Sequence, residues 1–241
     1  MLSFKGKHFP KDVILMCVRW YVAYSLSYRD IEEMLAERGV SADHATINRW
    51  VIEYAPKLEE QFRKSYKKSV GTSWRMDETY IRCEGKWTYL YRAVDKVGNT
   101  IDFMLSKNRD AETARTFFAK AIGSSGLPEK VTIDKSGANI AGLIIINFQL
   151  TIFAAMLLSL FSCNEALKLH IHVRQIKYLN NIVEQDHRGI KKITKPMMGF
   201  KAFYSAEATL IGIELHRMLR KHQHINSKKL SIFKQFYSLA D

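Results

Sequence analysis

Asp134 closes a short β-friendly run, Val131, Thr132 and Ile133, and is followed at once by Lys135, Ser136 and Gly137, which break it. An aspartate at that point is badly placed for packing and well placed to hold a cation. Two more carboxylates could share the cation. Asp77 lies inside the strand-like stretch SWRMDETYI, and Glu184 sits near the start of a helix in NNIVEQDHR. Side chains alternate faces along a strand, so Asp77 and Glu78 are expected to point to opposite faces, with only one joining a given site. Three carboxylates brought together repel one another unless a cation neutralises them. Hard oxygen ligands suit Mg²⁺ or Mn²⁺. Two such ions roughly 3.5–4 Å apart support in-line phosphoryl displacement.

The elements that must position these residues can be read from the pattern. The first 70 residues read as helices. DVILMCVRWYVAY has apolar residues at helical spacing, and YRDIEEMLAERG has Ser27 as a cap and Gly39 as a stop. A third helix, HATINRWVIEYA, has Asp43 as its cap. Pro56 and the basic stretch RKSYKKS suggest a linker. From Trp74 the period changes. WRMDETYIRC, KWTYLYRAVD and TIDFMLSK, separated by turn signals, read as a three-strand antiparallel meander. A helix over DAETARTFFAKAIGSSG, a fourth strand at EKVTID and a fifth at HIHVRQI follow. NNIVEQDHRGIKKI starts a helix capped by Asn180 or Asn181, and SAEATLIGIELHRMLRKHQ is amphipathic. Trp87, Tyr89 and Tyr91 alternate along one strand and read as core. The tail from Ile225 carries no clear pattern.

Composition narrows the function. The chain has 241 residues, 47% hydrophobic and 25% charged, with a net charge of +13. That surplus implies a polyanionic partner, nucleic acid or an anionic membrane surface. Cys17, Cys83 and Cys163 are far apart and odd in number, which supports neither a disulfide framework nor a zinc ribbon. A reducing cytoplasm is the expected setting. The pairs His170/His172 and His222/His224 lack further ligands at metal spacing. Residues 136–164 carry no charge and are long enough to span a bilayer.

WRMDETYI, GKWTYLYRAVD, TIDKSGAN, RQIKYLNNIVEQDHRGIKK and GFKAFYSAEATLIGIE together resemble a DDE transposase of a bacterial insertion sequence, of the IS-six family with its IS-twenty-six-like members. The likeness runs from about Phe4 to about His224. It implies an α/β fold: an N-terminal helix-turn-helix bundle, then a ribonuclease-H-like domain with a mixed five-stranded sheet and flanking helices. It implies Asp77, Asp134 and Glu184 as the catalytic and metal-binding triad for two Mg²⁺ or Mn²⁺ ions. Family members cut DNA at element ends and join the freed 3′ hydroxyl to target DNA, which implies a homodimer or larger assembly, located in the cytoplasm with the nucleoid. The expected division is 1–60 for the DNA-binding bundle, 61–72 for a basic linker, 73–224 for the catalytic domain and 225–241 for a tail. A membrane crossing between Asp134 and Glu184 would put them on opposite sides of the bilayer, so the apolar segment is expected to be a buried or subunit-contacting helix. It is also longer and less polar than the corresponding link in the family. The rival reading is a DNA-binding regulator, or a decayed transposase copy, with a vestigial acidic site.

Within the helix-turn-helix pattern, Ile47, Trp50 and Val51 are spaced for burial. His44, Thr46, Asn48 and Arg49 are left to face DNA, with Arg49 able to reach a guanine or a phosphate. Arg188 and Lys191 lie four and seven residues beyond Glu184 and are expected to grip DNA on its face of the helix. Lys177 precedes that helix as a further backbone contact. Asp186 is expected to face elsewhere.

Overall fold

Local chemistry sets most of the element boundaries. A computed structural model describes residues 2–134, 137–161 and 170–241, with only the backbone at residues 153, 154, 156–161, 177 and 178. Its helices are α1 (Lys11–Ala23), α2 (Tyr28–Ala36), α3 (His44–Ser65), α4 (Ala111–Ser125), α5 (Gly137–Phe161), α6 (Asn181–Thr194), α7 (Phe203–Arg220) and α8 (Ile232–Ser238). The strands are β1 (Ser73–Cys83), β2 (Lys86–Asp95), β3 (Thr100–Ser106), β4 (Lys130–Ile133) and β5 (His172–Gln175). Ser27 and Asp30 cap α2 reciprocally: the Asp30 amide donates to Ser27 Oγ, and the Ser27 amide donates to Asp30 Oδ2. Asp43 and Asp110 accept the Thr46 and Thr113 amides and start α3 and α4. The β1–β2 turn uses Glu84 at φ 53 and Gly85 at φ 75, both left-handed, as a two-residue hairpin of this type demands.

The sheet order is β3-β2-β1-β4-β5. β2 and β3 pair antiparallel, while β4 lies parallel to both β1 and β5. This is the mixed five-stranded, helix-flanked, ribonuclease-H-like arrangement expected from the sequence. Its core joins Trp74, Met76, Tyr91 and Ile101 of the meander to Phe117 and Phe118 of α4, Val131 and Ile133 of β4, and Leu143 and Ile146 of α5. Tyr91 is core and Tyr89 packs partly against it, but Trp87, at the start of β2 two residues past the turn at Gly85, is 64% exposed.

The chain forms two compact units. One comprises residues 1–68, 82–86 and 189–241; the other comprises 69–81 and 87–188. In the first unit, α7 packs on α1 and α3. The expected linker is partly helical: α3 continues through Pro56 to Ser65, because Tyr54, Leu58 and Phe62 prolong the buried face begun by Ile47, Trp50 and Val51. Residues 225–241 are not a patternless tail. α8 packs on α7 and α1, with Phe236, Leu239 and Ala240 buried.

The apolar segment forms α5. Leu143 and Ile146 face the core, while Ile144, Phe148 and Ile152 are exposed on the outer face. Among the described residues, no helix is long and apolar enough to cross a membrane. Cys17 and Cys83 are buried, and Cys163 lies outside the described residues.

α5 approaches α4 closely at Gly142, where a Cβ would lie 2.8 Å from Ala114 Cβ and 2.9 Å from the Arg115 amide nitrogen. Gly142→Val is expected to lower stability by about 1–3 kcal/mol, the usual scale of overpacking, seen as a reduced urea midpoint. Gly137→Ala, whose Cβ would meet nothing within 4 Å, should leave the midpoint near wild type.

Candidate active site

The parallel register between β1 and β4 builds the site. Ser73, Trp74 and Arg75 stand opposite Lys130, Val131 and Thr132. Asp77 lies two residues beyond Arg75, and Asp134 two beyond Thr132 just past the end of β4, so the register carries both toward the same point. Residues that are distant in sequence thus meet where β4 ends.

Asp77, Glu78 and Asp134 each offer a carboxylate oxygen within 4.8 Å of the other two. The expectation that only one of Asp77 and Glu78 could join the site is therefore corrected. Alternation does hold along β1: Trp74 and Met76 are buried on the side of Glu78, and Thr79 and Ile81 on the side of Asp77. The ladder to β4, however, is registered only as far as Arg75, and beyond it two carboxylates on opposite faces can converge on Asp134.

Glu78 is the unusual member. Its side chain is only 3% exposed, and neither oxygen accepts a hydrogen bond. Its nearest counter-charge is Arg109, whose Nε lies 3.5 Å from Glu78 Oε1 and whose Nη2 lies 3.9 Å from Asp134 Oδ2. Burial pushes the Glu78 carboxyl above the usual carboxylate range; Arg109 and Asn139 pull it back, and Asp77 and Asp134 push it further up. Asn139, fully buried on the first turn of α5, stands beside Glu78. Among the described residues, the Arg109 guanidinium faces two of these three carboxylates. Hard oxygen donors with unsatisfied lone pairs fit a divalent cation of the Mg²⁺ or Mn²⁺ type.

Glu184 lies outside that group of three, and its side chain is exposed on the first turn of α6. The helix that carries it is nevertheless fastened to β1 at two points. Asn180, just before the helix, donates from Nδ2 to the Met76 carbonyl oxygen at 3.2 Å. His187 Nε2 lies 3.1 Å from Asp77 Oδ2. Asn180, Glu184 and His187 are spaced by four and three residues, so Glu184 shares the face of both anchors. The Asn180 side chain is used for that clasp and its Oδ1 bonds nothing, so it does not act as the expected cap.

Sequence reading missed the support behind His187. Asp186 turns inward to Arg92, which is fully buried on β2, and accepts from Arg92 Nη2 at 2.6 Å. Arg92 Nη1 also approaches His187 Nδ1 at 3.3 Å. The adjacent DH pair of EQDHR was the available signal, but its partner lies 94 residues back in the chain. Arg109 was missed for the same reason, since its partners Glu78 and Asp134 are distant along the chain.

Among the expected DNA contacts, Arg49 is exposed on α3 and donates to Thr46 Oγ1 at 2.6 Å. His44 is exposed and paired through Nδ1 with Glu32 at 3.0 Å. Asn48 is half-buried, with Oδ1 lacking a partner. Arg188 and Lys191 are exposed on α6. Lys177 opens the 3₁₀ turn Lys177–Asn180, and its side chain lies outside the described residues.

An acidic pocket at the end of a parallel strand pair in such a sheet fits the divalent-metal phosphoryl chemistry of a polynucleotidyl transferase. Residues 71–223 match a family of DDE domains, DDE_Tnp_IS240. The chain is 41% identical over 233 residues to a transposase for insertion sequence-like element IS431mec of Staphylococcus aureus, an alignment covering 97% of this chain and 94% of that one. The same identity and coverage hold for the transposase of insertion sequence element IS257 in transposon Tn4003, also of Staphylococcus aureus. The chain belongs to the DDE transposases of the IS6 family. Among solved structures, the HTLV-2 integrase catalytic core domain in complex with magnesium is 15% identical, with a TM-score of 0.35 over 72% of this chain and 85% of that one. So loose a likeness carries no argument.

Because its folded carboxyl titrates above the usual range, Glu78 costs stability as pH rises from below the ordinary glutamate value through its raised one. Glu78→Gln should therefore stabilise the metal-free protein at pH 7, with the gain shrinking toward pH 4. Urea unfolding in EDTA across that range reads the effect.

Proposed function

We propose that this transposase binds the ends of its element, cleaves the DNA there and joins the freed 3′ hydroxyl to a target, using divalent ions held by Asp77, Asp134 and Glu184. The observation that carries this reading is the meeting of Asp77 and Asp134 at the end of β1 and β4, with α6 clasped against the same strand. When bound, the ions activate the attacking oxygen and offset charge on the leaving one. Asp77 and Asp134 provide the rigid, strand-borne part of the site. Glu184 completes it from α6 by turning its exposed carboxylate toward the strand ends, since it shares a helix face with Asn180 and His187. Glu78 and Arg109 set the charge beneath the two aspartates. No covalent protein–DNA link is required, so no serine or tyrosine nucleophile is invoked.

DNA is held elsewhere on the chain. Arg188 and Lys191 follow Glu184 by one and two turns and would engage phosphates beside the reacting one. His44, Thr46, Asn48 and Arg49 would meet the end sequence from α3, and Lys177 would add a backbone contact. The net charge of +13 suits such a substrate. Two ends must be brought together, which calls for a homodimer or larger assembly, working on the nucleoid in the cytoplasm. A second reading, a DNA-binding regulator or decayed copy with a vestigial acidic site, draws on the position of Glu184 outside the group of three carboxylates.

A cleavage and joining assay on end-containing DNA with Mg²⁺ separates the two. Asp77→Asn, Asp134→Asn and Glu184→Gln should each lose more activity than the roughly hundredfold that removal of a supporting group costs, while still binding the DNA. A wild-type chain that binds ends but never cuts them would leave the regulator standing. For the N-terminal contacts, Arg49→Ala should weaken end binding. A phosphate role would also reduce the salt slope by about one, measured by titration at several salt concentrations.

A further inference from the structure

We infer that His187 is a positioning residue for Asp77, held in the required orientation by the buried Arg92–Asp186 pair. The inference deepens the metal-site reading above and rests on it.

The chemistry of the partners assigns the His187 tautomer. Arginine has N–H donors and no acceptor, so at 3.3 Å from Arg92 Nη1 the His187 Nδ1 atom must accept. The ring then carries its proton on Nε2, which donates to Asp77 Oδ2 at 3.1 Å. Arg92 cannot turn away, because its second nitrogen is engaged by Asp186 Oδ2 at 2.6 Å. Arg92 is fully buried and His187 is 5% exposed. Two adjacent residues of α6 are therefore braced on one guanidinium of β2, and the brace ends on a carboxylate of β1.

The consequence lies in what Asp77 has left to offer. With Oδ2 fixed by His187, Oδ1 is the oxygen free to face a cation, and the carboxylate cannot rotate to fold both oxygens away. A ligand oriented in advance binds metal more tightly than one that must be ordered on binding, and loss of such outer partners typically costs about ten- to hundredfold in affinity. The same contact keeps α6, and with it Glu184, against the strand that carries Asp77.

The test is direct binding of Mn²⁺ to the full chain by isothermal titration, paired with the Mn²⁺ dependence of DNA cleavage. His187→Ala should raise the dissociation constant by about ten- to hundredfold. His187→Gln, which can place an amide N–H near the position of Nε2, should recover most of the loss. Arg92→Lys, which keeps the charge but cannot bridge both partners, should fall between them. Unchanged Mn²⁺ affinity in His187→Ala, or equal losses in His187→Ala and His187→Gln, would overturn the proposal. Circular dichroism and thermal unfolding in EDTA identify a variant that fails to fold; in that case His187→Gln against Arg92→Lys decides, since a role in positioning predicts that Gln binds Mn²⁺ more tightly. Asp77→Asn is the control for the underlying site. If it binds Mn²⁺ like wild type, the metal-site reading fails; if it loses Mn²⁺ while His187→Ala does not, only the positioning role fails.

Discussion

Crowded negative charge at the end of a parallel strand pair is the constraint on which the rest of this structure depends. Asp77, Glu78 and Asp134 bring carboxylate oxygens within 4.8 Å of one another. Such a group is tolerated only when something positive offsets it. Arg109 does so in part, reaching both Glu78 and Asp134. Three carboxylate oxygens gathered so closely are the donor set that hard divalent cations take. The surrounding hydrophobic packing, from Trp74 to Ile146, holds the strands and helices that keep these like charges together.

A second constraint follows from the first. In the proposed metal site the strands supply only part of the ligand set, and α6 would bring the remainder. α6 is tied to β1 through Asn180 and His187, at either end of the turn that bears Glu184. It is further tied to β2 through Asp186 and Arg92. Burying Arg92 without a partner would be costly, so the ion pair and the position of α6 depend on each other. The geometry of the site and the stability of the sheet–helix contact are thus maintained by the same few atoms.

The long apolar link between Asp134 and Glu184 need not disturb this arrangement. α5 begins at Gly137, so its first turn, with buried Asn139, adjoins the acidic group. Gly142 permits close packing on α4, and the inward residues Leu143 and Ile146 complete the core. The exposed face bearing Ile144, Phe148 and Ile152 is a surface feature of the same helix.

Much of this was legible along the chain. The strands of the meander, the caps Ser27 and Asp43, and the placement of Asp77 and Asp134 at strand positions follow from local propensity and periodicity, which act over a few residues; the five-stranded sheet was implied by the family resemblance. What the chain could not disclose depends on partners far away. α8 lacked an obvious pattern, because its burial comes from α1 and α7. Glu78 read as facing away from Asp77, because alternation describes a regular strand and says nothing about where a neighbouring ladder ends. Arg92, Asp186 and His187 have ordinary sequence surroundings, and their linkage exists only once β2 and α6 pack together. The sequence by itself determined which residue types were available and which elements would carry them. Tertiary structure alone decided which charges came face to face, because electrostatic and hydrogen-bonding interactions depend on distance in space, and contacts such as those of Arg92 are made across many intervening residues.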